Sequence, residues 1–381
     1  MKQMLGNFLT LIGLLAVSVS CLAQNGGSSA SHPPADSSQP ALKMQTLTAA
    51  LSGEWSLDVK WETNASMPNG LVNTGEETWR AGPGGHTLLE EEHLRSHQGD
   101  VFLFGVVWWN STKKNLQGLE CQNLLPQTCD VKGALNDITM SWDGKQFVID
   151  EIETSNTGKK SIWHEVWSDI TPISFTQTGE SGEPGAPRTR LFTIHAKKIS
   201  AESRNDTRAD HLIENSAEPA PEIQNLAKNL RGKWATTYEF EPGGMSPIGG
   251  TGAGEEVWRT GPGDYVLMEE EHISGPIGEV YLVAFHWWDK NTHSLRGMLC
   301  NNSVPAACDL NSYSNSSLKW DGKQLIIDME FPQNGKKMMW HEVWSDISST
   351  SFTQTGDMGD VGGSLKRVVT VRGTKVEGST K

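Results

Sequence analysis

The feature that most narrows what this chain can fold into is that it repeats itself. Gly75-Glu76-Glu77-x-Trp79-Arg80 returns as Gly254-Glu255-Glu256-x-Trp258-Arg259, and Trp163-His164-Glu165-Val166-Trp167-Ser168-Asp169 returns unbroken at 340–346. From Trp55 to Cys129 every matched position lies 179 residues before its partner; the offset falls to 178 at Trp142 and Trp320 and to 177 from the Trp-His-Glu motif onward. Single-residue deletions in turns account for the drift. A unit of about 150 residues is the size of a self-sufficient domain and too long for a solenoid repeat. A duplicated domain also compares itself, since positions held in both copies stand out against loops that diverge.

Residues outside the repeats set its bounds. Lys2, the apolar run Phe8 to Val19 and the small residues before Gln24 have the form of an export signal, 1–23, too short to span a bilayer. A lipoprotein acylated at Cys21 is the alternative, because Ser18-Val19-Ser20-Cys21 resembles a lipobox. Residues 24–46 are of low complexity and are expected to be disordered. The first domain is assigned to 47–199, a charged, proline-containing linker to 200–224, the second domain to 225–376 and a tail to 377–381. The linker suggests two beads on a short tether. The chain is therefore expected to be exported, periplasmic or secreted.

In such a compartment the matched cysteines form disulfides, Cys121 with Cys129 and Cys300 with Cys308. Closing loops this short contributes about 2.5 kcal/mol each in the chain-entropy model. The formal net charge of −14, without any lysine or arginine cluster, argues against nucleic acid or an anionic membrane as partner. No transmembrane segment is expected, and the oligomeric state is left open.

Most segments alternate at period two and are rich in Val, Ile, Thr, Phe and Trp between turn signals. Strands are expected near 53–63, 74–81, 86–95, 100–109, 115–122, 136–142, 145–153, 160–168, 172–179 and 188–198, with matches in the second copy. The fold class is all-β: two tandem antiparallel up-and-down barrels of about eight to ten strands, since closure removes the exposed edges of an open sheet. Leu47, Ala50 and Leu51, and Ile223, Leu226 and Leu230, fall at helical spacing before each first strand. A short helix is expected to plug one mouth of each barrel.

Gly53-Glu54-Trp55 and Gly232-Lys233-Trp234 resemble the Gly-x-Trp that opens the first strand of lipocalins and other calycin barrels. That resemblance implies that Trp55 and Trp234 close the barrel floor and that an arginine of the last strand, Arg190 or Arg367, packs across each. The whole unit, with Trp-Arg-x-Gly-Pro-Gly, Leu-x-Glu-Glu-Glu-His, Trp-Asp-Gly-Lys and Trp-His-Glu-Val-Trp, resembles a bacterial family of barrel domains of unknown function, distantly similar to nitrobindin-like barrels. It implies a fold and no activity.

Fourteen of the fifteen tryptophans form seven matched pairs, and core or floor packing explains most of them. Alternation puts Trp163, Glu165 and Trp167 on one strand face, and Trp340, Glu342 and Trp344 likewise. A carboxylate between two indoles makes a poor core, so these six residues, with Trp79, Arg80, Trp258 and Arg259 from a neighbouring strand, are the candidate ligand site. If the face is luminal, burial raises the pKa of Glu165 and Glu342. The runs Glu90-Glu91-Glu92 and Glu269-Glu270-Glu271 must send at least one carboxylate per copy inward, the other two being expected on the outer face.

Of eleven histidines only His93, His164, His272 and His341 are matched, and they are secondary candidates. No catalytic residue, metal or cofactor is expected; haem on a matched histidine is the alternative raised by the nitrobindin comparison. Nucleophile elbow, phosphate loop and His-Glu-x-x-His are all missing from the sequence. The expected function is a non-enzymatic small-molecule binding module with one site per barrel. Its alternatives are an enzyme using a Glu/His pair inside the barrel and an envelope interaction protein with filled barrels.

Overall fold

The computed structural model describes residues 39–63, 70–95, 99–125, 127–131, 134, 137–154, 158–200, 218–303, 307–308, 316–333 and 335–376. The export signal, residues 24–38 of the low-complexity segment, linker residues 201–217 and the tail lie outside the described residues.

Helix α1 (Leu42–Leu51) leads into β1 (Gly53–Trp61), β2 (Leu71–Ala81), β3 (Thr87–Arg95), β4 (Val101–Asn110), β5 (Asn115–Gln122), β6 (Ile138–Trp142), β7 (Phe147–Thr154), β8 (Lys160–Ser168), β9 (Ser174–Gly182) and β10 (Thr189–Lys198). The second copy runs through α2 (Pro221–Leu230), β11 (Gly232–Phe240), β12 (Gly250–Thr260), β13 (Val266–Gly275), β14 (Gly278–Asp289), β15 (Ser294–Asn301), β16 (Ser317–Trp320), β17 (Leu325–Gln333), β18 (Lys336–Ser345), β19 (Ser351–Asp360) and β20 (Lys366–Lys375). Each set of ten strands closes into an antiparallel up-and-down barrel, first strand paired with last. The two helices start at Leu42 and Pro221, earlier than the spacing alone marked, so residues 42–46 and 221–224 belong to the barrels.

The helices plug the barrels as their spacing requires. Met44, Leu47 and Leu51 of α1 join one core with Trp55, Trp79 and Trp167, and Ile223, Leu226 and Leu230 of α2 join Trp234, Trp258 and Trp344. The Gly-x-Trp motif has a local cause. Trp55 Nε1 donates to Leu51 O at 2.9 Å and Trp234 Nε1 to Leu230 O at 2.8 Å, satisfying carbonyls that the helix end leaves without partners. Gly53 and Gly232 sit at φ 150° and 133°, and a Cβ on Gly53 would lie 2.5 Å from Lys198 Cε.

That lysine corrects the expectation for the last strand. Lys198 Nζ sits 5.2 Å above Trp55 and Lys375 Nζ 4.9 Å above Trp234, and each donates to a carbonyl at the helix end, Ser52 O and Arg231 O. Arg190 and Arg367 instead pair with Glu180 and Asp357 on the outer surface. The arginines lie near the start of β10 and β20, at the end of the barrel away from the helix; the floor is reached only from the strand ends, where Lys198 and Lys375 stand.

The barrels are not beads. Phe104, Val106, Trp108 and Leu119 on the outer face of the first pack with Val283, Phe285, Trp287 and Met298 of the second in one buried cluster, with Phe104 and Phe285 rings 4.8 Å apart. The contact is self-complementary, as a twofold interface is. A Cβ on Gly84 (φ 65°) would strike the Tyr281 ring, and one on Gly263 (φ 63°) the ring of Phe102, the position matched to Tyr281. Both predicted disulfides, Cys121–Cys129 and Cys300–Cys308, are present and lie within this cluster.

Candidate ligand site in the barrel lumens

Strand alternation sorts the site residues by face. In β3, Glu90 and Glu92 turn into the lumen and Glu91 turns out; β13 does the same with Glu269, Glu271 and Glu270. Two glutamates of each run are therefore internal, not one. The outward pair explains the matched arginines: Arg80 bonds Glu270 at 2.5 Å and Arg259 bonds Glu91 at 2.5 Å, each from one barrel to the other. Arg80 and Arg259 thus belong to the interface and do not meet Glu165 or Glu342.

The first lumen is layered. At its floor Trp79 meets Phe147 and Trp167 edge to face, and Phe147 and Trp167 pack against each other at a tilt of 43°. Above them come Glu77, Glu90, Glu92, Glu120 and Glu165. Toward the end away from α1, Trp61, Phe192 and Trp163 form an aromatic group with ring centroids 5.1 and 5.9 Å apart. Glu77 is 1% exposed, whereas Glu90, Glu120, Glu165, Trp61 and Trp163 are partly exposed, which leaves the carboxylate layer in reach of solvent. Glu165 accepts from Trp163 Nε1 at 2.7 Å and Gln177 Nε2 at 3.3 Å. In the second lumen Glu342 accepts from both Trp340 Nε1 and Trp344 Nε1, at 2.9 and 2.6 Å.

Among the described residues no lysine or arginine pairs with any of these internal carboxylates; the one basic contact is His286 Nε2, 3.8 Å from Glu269 Oε2. Isolated charges in such a setting are costly, which favours the protonated form of Glu77, Glu90, Glu92, Glu120 and Glu165. Burial pushes Glu77, Glu120 and Glu165 up to about 7, against hydrogen bonds that lower each of them, and the charge of neighbouring glutamates adds to the rise of Glu120 and Glu165. Glu90 and Glu92 stand well above the usual range, from burial and then from the charge of Glu77 and its neighbours. In the second barrel burial raises Glu271 to about 7, holds Glu256 and Glu269 well above the usual carboxyl range, and lowers His286 to about 4.

The four matched histidines lie on outer faces. His93 meets Asp100, His272 meets Glu279, and His164 and His341 meet Asp150 and Asp328. All four face away from the lumens, so they are not placed to ligate a luminal haem, and His164 lies on the face of β8 opposite Glu165. Among the described residues His286 does face a lumen, beside Glu269; it has Val107 at its matched position, so a comparison of the two copies passes over it. A cavity of about 410 Å³ lies elsewhere, between Asn229, Trp320 and Ile347 beside α2, apart from the carboxylates.

No family model and no curated protein matches the chain. Similar solved structures include a protein of unknown function of the DUF3598 family from Nostoc punctiforme, 8% identical over 88% of this chain and 100% of that one, with a TM-score of 0.26. A putative AttH from Nitrosomonas europaea is 10% identical over 84% and 92% of the two chains, TM-score 0.11. Kievitone hydratase from Nectria haematococca is 7% identical over 90% and 92%, TM-score 0.13. Likenesses at these TM-scores establish neither a shared fold nor a shared activity. Among the described residues no helix is long and apolar enough to cross a membrane.

Proposed function

We propose that the chain is an exported, non-enzymatic binding module of calycin-like barrels, each lumen taking one small, partly apolar ligand that carries a positive charge. The observation that carries this reading is the layer of internal glutamates that meets no lysine or arginine among the described residues. A cation entering the layer exchanges for the protons those carboxyls hold and supplies the counter-charge that the fold withholds. Trp61 and Trp163 supply aromatic faces and apolar area next to it, the combination that suits an alkylammonium group. The disulfides are in keeping with export.

The test is intrinsic tryptophan fluorescence titrated with primary and quaternary alkylammonium ions. Saturable quenching is expected, with affinity weakened about tenfold in Glu165→Gln/Glu342→Gln, the loss of one charge-assisted contact in each lumen. Unchanged fluorescence across the series, or unchanged affinity in the double variant, would overturn the reading.

A further inference from the structure

The two lumens are not chemically equivalent. Glu256, Glu269 and Glu271 of β12 and β13 each offer an oxygen, and the three oxygens lie within 4.8 Å of one another. Their side chains are almost wholly buried, Glu256 at 0% exposure. Such a cluster alone is no site, but it has an independent neighbour. His286 of β14 is 1% exposed, stacks on Trp258 with ring centroids 5.4 Å apart, and points Nε2 at Glu269 Oε2 from 3.8 Å. Neither of its ring nitrogens hydrogen-bonds to a described residue. A buried imidazole left without partners beside three carboxylates calls for a ligand.

From these groups we infer that the second barrel holds a divalent first-row transition ion, of the Zn²⁺ or Mn²⁺ class, on Glu256, Glu269, Glu271 and His286 Nε2. For the second barrel this deepens the reading that the lumens take a cation. Donors around a tetrahedral ion with bonds near 2.1 Å are about 3.4 Å apart, so oxygens that lie within 4.8 Å of one another reach bonding positions by side-chain shifts of about an ångström. Three oxygens and one imidazole nitrogen suit Zn²⁺ or Mn²⁺ better than Ca²⁺, which takes six to eight oxygens.

The outer contacts fit the same purpose. Trp258 Nε1 donates to Glu256 Oε1 and leaves Oε2 without a partner among the described residues, while the Tyr238 hydroxyl donates to Glu271 Oε1. Ligating carboxylates are oriented in this way. Both oxygens of Glu342 are taken by indoles, so it is left out of the ligand set. In the first barrel Val107 stands for His286 and Val59 for Tyr238: the carboxylates remain but the nitrogen donor and one orienting group are gone.

The experiment uses the tag-free full chain, stripped with chelator and titrated with ZnCl₂ and MnCl₂ by calorimetry, with nitrogen coupling to bound Mn²⁺ read by pulsed electron paramagnetic resonance. Wild type is expected to take one tightly bound ion with a coupled nitrogen. His286→Val, which installs the residue of the first barrel, is expected to lose affinity at least tenfold together with the nitrogen coupling, and Glu269→Gln to lose affinity with the coupling kept in the residual complex. No tight site in wild type, or a His286→Val that binds equally well, overturns the inference. Should wild type refuse both metals yet still be quenched by alkylammonium ions, the metal site fails while the proposed function stands; indifference to both classes sinks both.

Discussion

Arg80 of the first barrel reaches Glu270 of the second at 2.5 Å, and the matched Arg259 returns the contact to Glu91 at the same distance. The four side chains also close within each barrel, Arg259 to Glu270 at 3.1 Å and Arg80 to Glu91 at 3.6 Å. Each charge therefore has two opposite neighbours. Arg80→Ala alone leaves Glu270 held by Arg259 and is expected to cost about 1 kcal/mol, whereas Arg80→Ala/Arg259→Ala strands both carboxylates and is expected to cost more than the two singles summed. Chemical denaturation of the three variants measures it; simple additivity would show that the network is not coupled.

The disulfides sit where the barrels are otherwise least joined. Among the described residues the β5–β6 seam is held by the single pair Leu116 and Met140, and the β15–β16 seam by Leu295 and Leu318. Beside Cys129, Thr128 Oγ1 donates across the interface to Trp288 O at 3.0 Å. Cys121→Ala/Cys129→Ala is expected to lose about 2–3 kcal/mol and to speed amide exchange in β14 of the opposite barrel. Exchange faster only within the first barrel would mean the loop does not support the interface.

Stability should depend on pH in an unusual direction. Glu165 is faced by Glu77, Glu92, Glu120 and Glu151, and the folded-state values of Glu77, Glu120 and Glu165 lie at about 7, above the ordinary carboxyl range. A raised folded value means that the native state holds protons the unfolded chain has released. Stability is thus full below about pH 4.5, falls as pH rises toward 7, and then levels. A shift of this size is worth roughly 3 kcal/mol for one group alone, and less per group for three that interact. The melting temperature of ligand-free protein should drop between pH 5 and pH 7.5, with a shallower drop in Glu165→Gln. A melting temperature that rises over that interval would contradict the protonated lumen.

Lys198 and Arg190 separate the observed floor from the one expected by resemblance. Lys198→Met removes a cation from above Trp55 and from the C-terminal end of α1, and is expected to cost about 1 kcal/mol. Arg190→Ala removes an exposed ion pair and should cost little. Thermal denaturation of both variants decides it, and equal losses would not fit.

Much of this was legible because the period of two and the turn signals survive in both copies: all ten strands of each barrel, both helices and both cysteine pairs fall where the residues place them. The faces were harder. Leu88-Leu89-Glu90-Glu91-Glu92 carries apolar and acidic residues on both sides, so alternation groups Glu90 with Glu92 but cannot say which side is the lumen. The stretch Phe104 to Trp109 is apolar on both faces, the pattern of a strand buried twice, and its outer side meets the other barrel. His286 was lost for a different reason: retention in both copies selects what the barrels share, and a site made in one of them leaves no repeat.

The most direct measurement is calorimetry with matched pairs of ligands, an alkylammonium ion against the alcohol of the same carbon skeleton. Charge held by the luminal glutamates requires that the ammonium bind at least tenfold more tightly, that binding at pH 6 release protons as judged from buffers of different ionisation enthalpy, and that both effects shrink in Glu165→Gln/Glu342→Gln. Equal affinity for ammonium and alcohol, or binding without proton release, would contradict it.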